Sequence, residues 1–248
     1  QRKLKLYLPT LPEQEKIASF LSAVDERIQK LERKKSLLAA YKKGVMRQLF
    51  SQEIRFKDEN GNNYPDWEEK KLGDVIFFTN GKGHEQYISS NGRYIVVNSK
   101  FVSSNGKVKK HSNNQLCPLE KGDLVMVMSD VPKGKALAKC YYIEKNNLYS
   151  LNQRICGLKP KDADTKLLYY LLNRNKYYLS FDSGVGQTNL KKAEVLNCPL
   201  LIPLYKKEQQ KIASFLSEID KKIELVETQI QQSKTFKKGL LQQMFVAA

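Results

Sequence analysis

Glu13-Gln14-Glu15-Lys16-Ile17-Ala18-Ser19-Phe20-Leu21-Ser22 returns 195 residues later as Glu208-Gln209-Gln210-Lys211-Ile212-Ala213-Ser214-Phe215-Leu216-Ser217. The likeness runs on through Asp25/Asp220, Ile28/Ile223 and Glu32/Glu227. It closes on Lys42-Lys43-Gly44 and Lys237-Lys238-Gly239, then Phe50/Phe245. Over 13–50 against 208–245, 17 of 38 positions are identical. A short proline segment precedes each copy, Leu8-Pro9 and Ile202-Pro203. Two copies so far apart are not a solenoid, whose repeats are short and contiguous. They read as two equivalent structural parts around an insert.

Both copies have a helical period. Ile17, Leu21, Val24, Ile28 and Leu31 step by four and three, and Lys35 then interrupts before Leu38, Val45 and Leu49. Ile212, Leu216, Ile219, Ile223, Val226 and Ile230 keep the same step without the interruption. Such a heptad seam predicts a coiled coil. A helix of this length spans roughly 57 Å and is poorly stable alone, because most of its stability comes from a packed face. Each copy therefore needs a partner, and the nearest is the other copy. One helix leads into the middle region and the other leads out, so pairing within the chain is antiparallel. Two ordinary core helices left by a duplication are the plainer alternative.

Residues 52–205 differ in character. Lys57-Asp58-Glu59-Asn60-Gly61-Asn62-Asn63-Tyr64-Pro65 is polar and turn-rich and reads as a linker. Strand-like runs follow at Val75–Thr79, Tyr94–Val97, Leu124–Met128, Ala136–Ile143 and Arg154–Leu158, separated by Gly/Asn/Ser/Lys turns. One helix is expected from Thr165 to about Leu179, with a leucine-rich face. The fold expected is α+β: a mostly β domain with a helix, flanked by two long helices in an antiparallel coiled coil. The divisions are residues 1–51, 52–205 and 206–248.

Charge narrows the function. The chain has 248 residues with 43 Lys+Arg against 26 Asp+Glu, net +17. Residues 75–205 alone hold 19 basic and 9 acidic residues, net +10, whereas 52–74 hold 4 and 7. A polyanionic partner follows, nucleic acid first and an anionic membrane surface second. The longest apolar runs are too short to span a bilayer. Cys117, Cys140, Cys156 and Cys198 are scattered, with no C-x-x-C pair and no neighbouring His84 or His111. They read as reduced core residues of a cytoplasmic protein rather than metal ligands.

Catalytic signatures are weak. No phosphate loop is present. Gly184-Val185-Gly186 is followed by Asn189 where a dinucleotide turn needs a third glycine. Pro65-Asp66 with Glu68-Glu69-Lys70 only superficially resembles a nuclease metal site, since its carboxylates are too close in sequence, and it reads as an exposed turn. Binding residues are more evident. Lys82, Asn98, Lys100, Lys107, Lys109, Lys110, Lys133, Lys135, Arg154, Gln187, Asn189, Lys191 and Lys192 sit in or beside expected turns. Arg and Lys suit guanine edges, Asn and Gln suit adenine. Lysine pairs such as Lys109-Lys110 and Lys191-Lys192 suit phosphates, which position without specifying.

Several of these stretches together carry a family resemblance. The two proline-helix starts, Tyr64-Pro65-Asp66-Trp67-Glu68 with Leu72-Gly73-Asp74, and Gly186-Gln187-Thr188-Asn189-Leu190-Lys191-Lys192 resemble DNA-specificity subunits of Type I restriction–modification systems. The resemblance covers nearly the whole chain. It implies target recognition domains separated by antiparallel conserved helices, each domain reading half of a bipartite duplex site while the helices set the spacer. It implies a subunit with no catalysis, cofactor or metal of its own. The DNA methyltransferase (modification) subunits that it recruits bring S-adenosylmethionine, and restriction motor-nuclease subunits join them. This sequence holds helix, one recognition domain and helix, without a second recognition domain. It is either the C-terminal half of a longer subunit or a half-size subunit that restores two domains as a homodimer. A coiled-coil assembly protein with a non-specific basic surface is the alternative function.

Overall fold

The structure, a computed structural model of the chain, describes residues 8–131 and 134–245. In chain order its elements are α1 (Leu11–Phe50), β1 (Glu68–Lys71), α2 (Leu72–Val75), β2 (Ile76–Asn80), β3 (Tyr94–Val97), α3 (Ser99–Ser103), β4 (His111–Ser112), β5 (Pro118–Leu119) and β6 (Leu124–Val127). There follow β7 (Ser129–Asp130), β8 (Cys140–Tyr142), β9 (Tyr149–Leu151), β10 (Ile155–Pro160), α4 (Thr165–Leu172), α5 (Lys176–Leu179), β11 (Thr188–Asn189), α6 (Lys192–Leu196), β12 (Pro199–Ile202) and α7 (Lys206–Phe245). Two compact units result. One joins the chain up to Ile54 with the chain from Phe215; the other is Arg55–Ser214. The sequence divisions expected were at 51/52 and 205/206.

The first unit pairs α1 with the larger part of α7, each helix being 40 residues long. Pro12 sits in the first turn of α1, where its missing N–H costs no hydrogen bond, and Glu13 lies beside the positive end of the helix dipole. From Leu11 to Gly44 of α1, only Ile17, Leu21, Val24, Ile28, Leu31, Lys35, Leu38 and Lys42, with Asp25, escape full exposure. The seam thus passes through Lys35 without a break, correcting the interruption expected there. A lysine at a seam position is tolerated because its ammonium finds a carboxylate on the facing helix. Lys35 pairs with Glu227, Lys42 with Asp220 at 2.6 Å and Lys237 with Asp25 at 2.5 Å. Moving along α1 from Asp25 to Lys35 to Lys42, the partner on α7 moves back from Lys237 to Glu227 to Asp220, by equal steps. The helices are therefore antiparallel and in register. Asp25 and Asp220 are equivalent repeat positions, as are Lys42 and Lys237, so two of these contacts are one interaction made twice about an internal dyad. On α7, Leu216, Ile219, Val226 and Ile230 are buried and Ile223 half-buried. Ile212, expected on this seam, lies within the Arg55–Ser214 unit.

The second unit carries two four-stranded sheets. One is antiparallel throughout, in the order β2-β10-β6-β8; the other, β4-β3-β9-β5, contains the parallel pair β3/β9. Ile95, Val97, Val125, Val127, Leu151 and Ile155 from both sheets meet in one core with Phe101 of α3. The other side of the first sheet is buried as well. There Met126 is flanked in register by Cys140 and Cys156, beside Cys198 and Tyr178, whose hydroxyl donates to the Val195 carbonyl at 3.1 Å. Burial on both faces explains why β6 reads as an uninterrupted apolar run.

Four expectations change. The helix expected over 165–179 is two helices, α4 and α5. Arg174 between them takes the left-handed conformation at φ 58°, its N–H donates to the Ala138 carbonyl, and Asn173 Oδ1 accepts the Cys140 N–H at 3.0 Å, so strand contacts outbid continuous helix. The run Ala136–Ile143 contributes strand only at Cys140–Tyr142. The Glu68-Glu69-Lys70 stretch read as an exposed turn is strand β1, paired antiparallel with β12. The presumed linker is also organised: Asp58 accepts the Asn60 and Asn62 N–H groups at 2.8 Å, Tyr64 and Trp67 are buried, and Arg55 donates to the carbonyls of Tyr64 and Pro65.

Two outcomes are expected. A double-mutant cycle on Lys42 and Asp220, followed by thermal unfolding, should give a coupling of about 0.5–1 kcal/mol, modest because both groups keep contact with water, and the double charge swap should recover most of the loss. The four thiols are free and buried, and burial pushes Cys156 up to about 12, with Cys140 and Cys198 raised for the same reason. A raised thiol pKa favours the folded state only while the thiol stays protonated. Stability should hold below the pKa of the unfolded thiol and fall as pH rises from there towards 12, with Cys156→Ala flattening that slope.

Candidate nucleic-acid interface

The ends of several strands in the Arg55–Ser214 unit meet along one rim. The chain turns sharply after β2, and Gly81 lies so close to the next loop that a Cβ there would sit 1.9 Å from the Asn152 carbonyl oxygen. Backbone hydrogen bonds stitch the rim together. Gly81 N–H donates to Ile155, Lys82 to Leu151, Asn152 to Val97, Met128 to Arg154 and Leu190 to Met128, all at 2.8–3.2 Å. Turn 80–84, the ends of β3 and β6, loop 152–154 and β11 are thereby one continuous edge. A depression of about 200 Å³ in it is lined by Asn80, Gly81, Met128, Ser129, Arg154 and Asn189, among others.

Most of the expected DNA-contacting residues can be placed relative to this edge. Lys82 and Arg154 are exposed on it, Arg154 with φ 67°, a conformation that costs a non-glycine residue energy and turns up at functional sites. Gln187 and Asn189 are exposed beside them, and the Gln187 amide donates to Ser129 Oγ at 2.7 Å and to Asn189 Oδ1 at 3.2 Å. Asn98 also stands there, but its Oδ1 accepts the Phe101 N–H at 2.9 Å and caps α3, so that acceptor is committed to structure. Lys100 is exposed in α3, next along the chain. Lys191 and Lys192 follow Leu190 at the start of α6, where Glu194 accepts the Lys191 N–H and the Lys192 ammonium lies 5.5 Å from the Phe78 ring centre. Lys135 is exposed next to Ala136, whose N–H, like those of Val131 and Leu137, is accepted by the Asp130 carboxylate. Lys107, Lys109 and Lys110 are exposed between α3 and β4, outside the stitched edge. Lys133 lies outside the described residues.

Asn80, Ser129, Asn152 and Gln153 join the edge without having been singled out. Asn80 stood in a visible Gly/Asn/Lys turn, whereas Ser129 and Asn152 carry no sequence signal, because strand ends far apart in the chain bring them here. Burial pushes the Cys117 thiol up, and the nearby Lys82 charge opposes that shift. Burial, with help from the Arg174 charge, pushes the Lys139 ammonium down while it donates to the Ser103 carbonyl and ties down the end of α3. Among the described residues no His, Cys, Asp and Glu cluster suited to a metal ion occurs, and no helix is long and apolar enough to cross a membrane. The edge offers amides, a guanidinium and ammonium groups, the chemistry that reads base edges and holds phosphates.

Comparison with known proteins gives the family and the fold. The family described as Type I restriction modification DNA specificity domain matches residues 64–234. The Type I restriction enzyme MjaVIII specificity subunit of Methanocaldococcus jannaschii is 25% identical over 258 residues, a match covering 96% of this chain and 60% of the relative. Among solved structures, the Type-I restriction-modification system S subunit from M. genitalium superposes with a TM-score of 0.62 at 17% identity, over 94% of this chain and 60% of that one. The HsdS subunit from Thermoanaerobacter tengcongensis gives 0.55 at 16% identity, over 97% and 60%. The chain thus spans about 60% of the length of the relatives quoted.

The rim makes a steric prediction. Gly81→Ala should cost about 1–3 kcal/mol, because its new methyl meets backbone that cannot move aside. Gly186→Ala, with nothing within 4 Å of the added carbon, should change stability by no more than about 0.5 kcal/mol. Urea unfolding of the two variants beside the parent chain checks both.

Proposed function

Because the chain belongs to the Type I restriction–modification DNA specificity family, we propose that its Arg55–Ser214 unit is a target recognition domain that reads one half of a bipartite duplex site. The observation that carries this reading is the polar rim, on which Lys82, Arg154 and the Gln187/Asn189 pair converge from three separate stretches of the chain within a region of net charge +10 (residues 75–205). Base discrimination belongs to Arg154, Gln187 and Asn189. Phosphate contact belongs to Lys82, Lys100, Lys135, Lys191 and Lys192, with Lys107, Lys109, Lys110 and Lys133 as outlying cations.

The chain acts without catalysis of its own, in the cytoplasm, within a complex. DNA methyltransferase subunits dock to it and supply S-adenosylmethionine, and restriction motor-nuclease subunits join them. The helix pair acts as the ruler between half-sites. Its internal dyad also supports a homodimer, because each helix of a second copy offers the same Asp and Lys positions that α1 and α7 already offer each other. In the other arrangement, the C-terminal half of a longer two-domain subunit, the same dyad lies within one polypeptide.

Titration of duplex DNA at several salt concentrations, with the methyltransferase partner present, tests the reading. Binding should weaken steeply with salt. Arg154→Ala should relax preference at one base position by about 1–3 kcal/mol, whereas Lys191→Ala should weaken all duplexes alike and lower the salt slope by about 1. Binding that ignores both salt and sequence, with Ile219→Asp abolishing every association, would instead favour the assembly-protein alternative.

A further inference from the structure

His84 is only 1% exposed, and nothing in the reading above uses it. Its ring stands between the buried sheet and the exposed rim. Nδ1 lies 2.7 Å from the Lys82 carbonyl oxygen and 3.2 Å from Asn152 Oδ1, and Nε2 lies 2.7 Å from Ser150 Oγ. A carbonyl oxygen only accepts, so Nδ1 carries a proton and donates it to Lys82. Nε2 meets the Ser150 hydroxyl, which accepts the Cys117 N–H at 3.0 Å and lies 3.3 Å from the Cys117 carbonyl oxygen. The contacts thus run from Cys117 through Ser150 and the imidazole to the Lys82 carbonyl. Ser150 is fully buried in β9, so the inner end of this chain is rigid.

The outer end reaches both loops. The Lys82 carbonyl also accepts the Gln153 N–H at 3.1 Å, so the two lone pairs of one oxygen hold the histidine and the residue next to Arg154. The Gln153 amide returns the link by donating to Glu85 Oε1 at 2.7 Å. Removing the imidazole takes away the turn's tie to Ser150 and Asn152 and leaves its inner face unfilled.

We infer that His84 is a positioning residue for base reading: its Nδ1–H, shared between the Lys82 carbonyl and Asn152 Oδ1, and its Nε2 against Ser150 Oγ hold turn 80–84 on β9 and loop 152–154 and so fix the places from which Lys82 and Arg154 meet the duplex. The inference rests on the rim being the DNA-reading edge.

Three variants separate positioning from simple stability. His84→Ala removes both ring nitrogens. His84→Asn keeps an N–H donor near the Nδ1 position, and His84→Gln keeps a polar group near the Nε2 position instead. The full chain with its methyltransferase partner is used to select from a randomised duplex library. Each variant is then titrated with the selected duplex and with a shuffled one, and its melting temperature is recorded. His84→Ala should cut the ratio of selected to shuffled affinity by about tenfold, leaving affinity for the shuffled duplex within about twofold. His84→Asn should recover most of the ratio and His84→Gln little of it, whatever their order of melting temperature. A ratio that follows melting temperature across the three variants, or one that His84→Ala leaves intact, overturns the inference while the DNA-reading function stands. A parent chain that binds selected and shuffled duplexes alike removes that function and the inference with it.

Discussion

The antiparallel pairing of β1 with β12 is the constraint on which the Arg55–Ser214 unit depends. Glu68 lies opposite Ile202 and Lys71 opposite Pro199, so the chain leaves this unit beside the point where it came in. The helices next to these strands reinforce the closure. Gly73 of α2 lies against Leu196 of α6, where an added Cβ would meet the leucine Cβ at 3.3 Å, and the Leu72 N–H donates to the Cys198 carbonyl at 2.9 Å. Asp74 and Glu194 each accept the N–H of the residue just before their own short helix, Lys71 and Lys191. Both ends of the unit are thus finished in the same way, and the two sheets between them need no further closure.

The start of α7 is locked into this closed unit by polar contacts. Glu208 is 1% exposed and accepts from the Trp67 indole at 3.1 Å, with Arg55 at 3.4 Å. Gln209 accepts the Asp164 N–H and donates to the Pro203 carbonyl, both at 2.7 Å. A carboxylate buried this deeply stands only because a cation and an indole donor face it; removing one partner of such a pair typically costs about 3–5 kcal/mol. The equivalent pair in the first copy, Glu13 and Gln14, is exposed, and there only the local bond from Gln14 to the Pro9 carbonyl repeats. One motif therefore has two environments in a single chain. The bond it makes to its own proline segment is local and appears twice; the buried contacts appear once, where the Arg55–Ser214 unit surrounds the motif.

The helix pair was legible in outline because its signal is periodic. Steps of four and three place residues on one face whatever surrounds them, and burial follows those steps from Ile17 to Leu49. The misreading at Lys35 came from treating a lysine as a break. The lysine keeps its seam position because Glu227 faces it, and that facing residue is visible only once the antiparallel register is known. β3 and β6 were legible for a similar reason, their apolar runs being buried on a sheet. β9, Tyr149–Leu151, was missed because three residues between turns carry no pattern. The single long helix expected over 165–179 failed at Asn173 and Arg174, whose backbone and side-chain bonds go to residues 138 and 140.

Sequence alone determined the duplication, the heptad seam, the concentration of positive charge in residues 75–205 and the family resemblance, since each is a property of order and spacing along the chain. Tertiary structure decided which polar residues lie together. Lys82, Ser129, Arg154 and Asn189 come from four separate stretches of the chain, and hydrogen bonds between strand ends gather them on one edge. It also decided that Asn98 caps a helix and that His84 braces a turn, because a side chain's hydrogen-bond partner is set by what folding brings within 3 Å of it, and spacing in sequence does not record that distance.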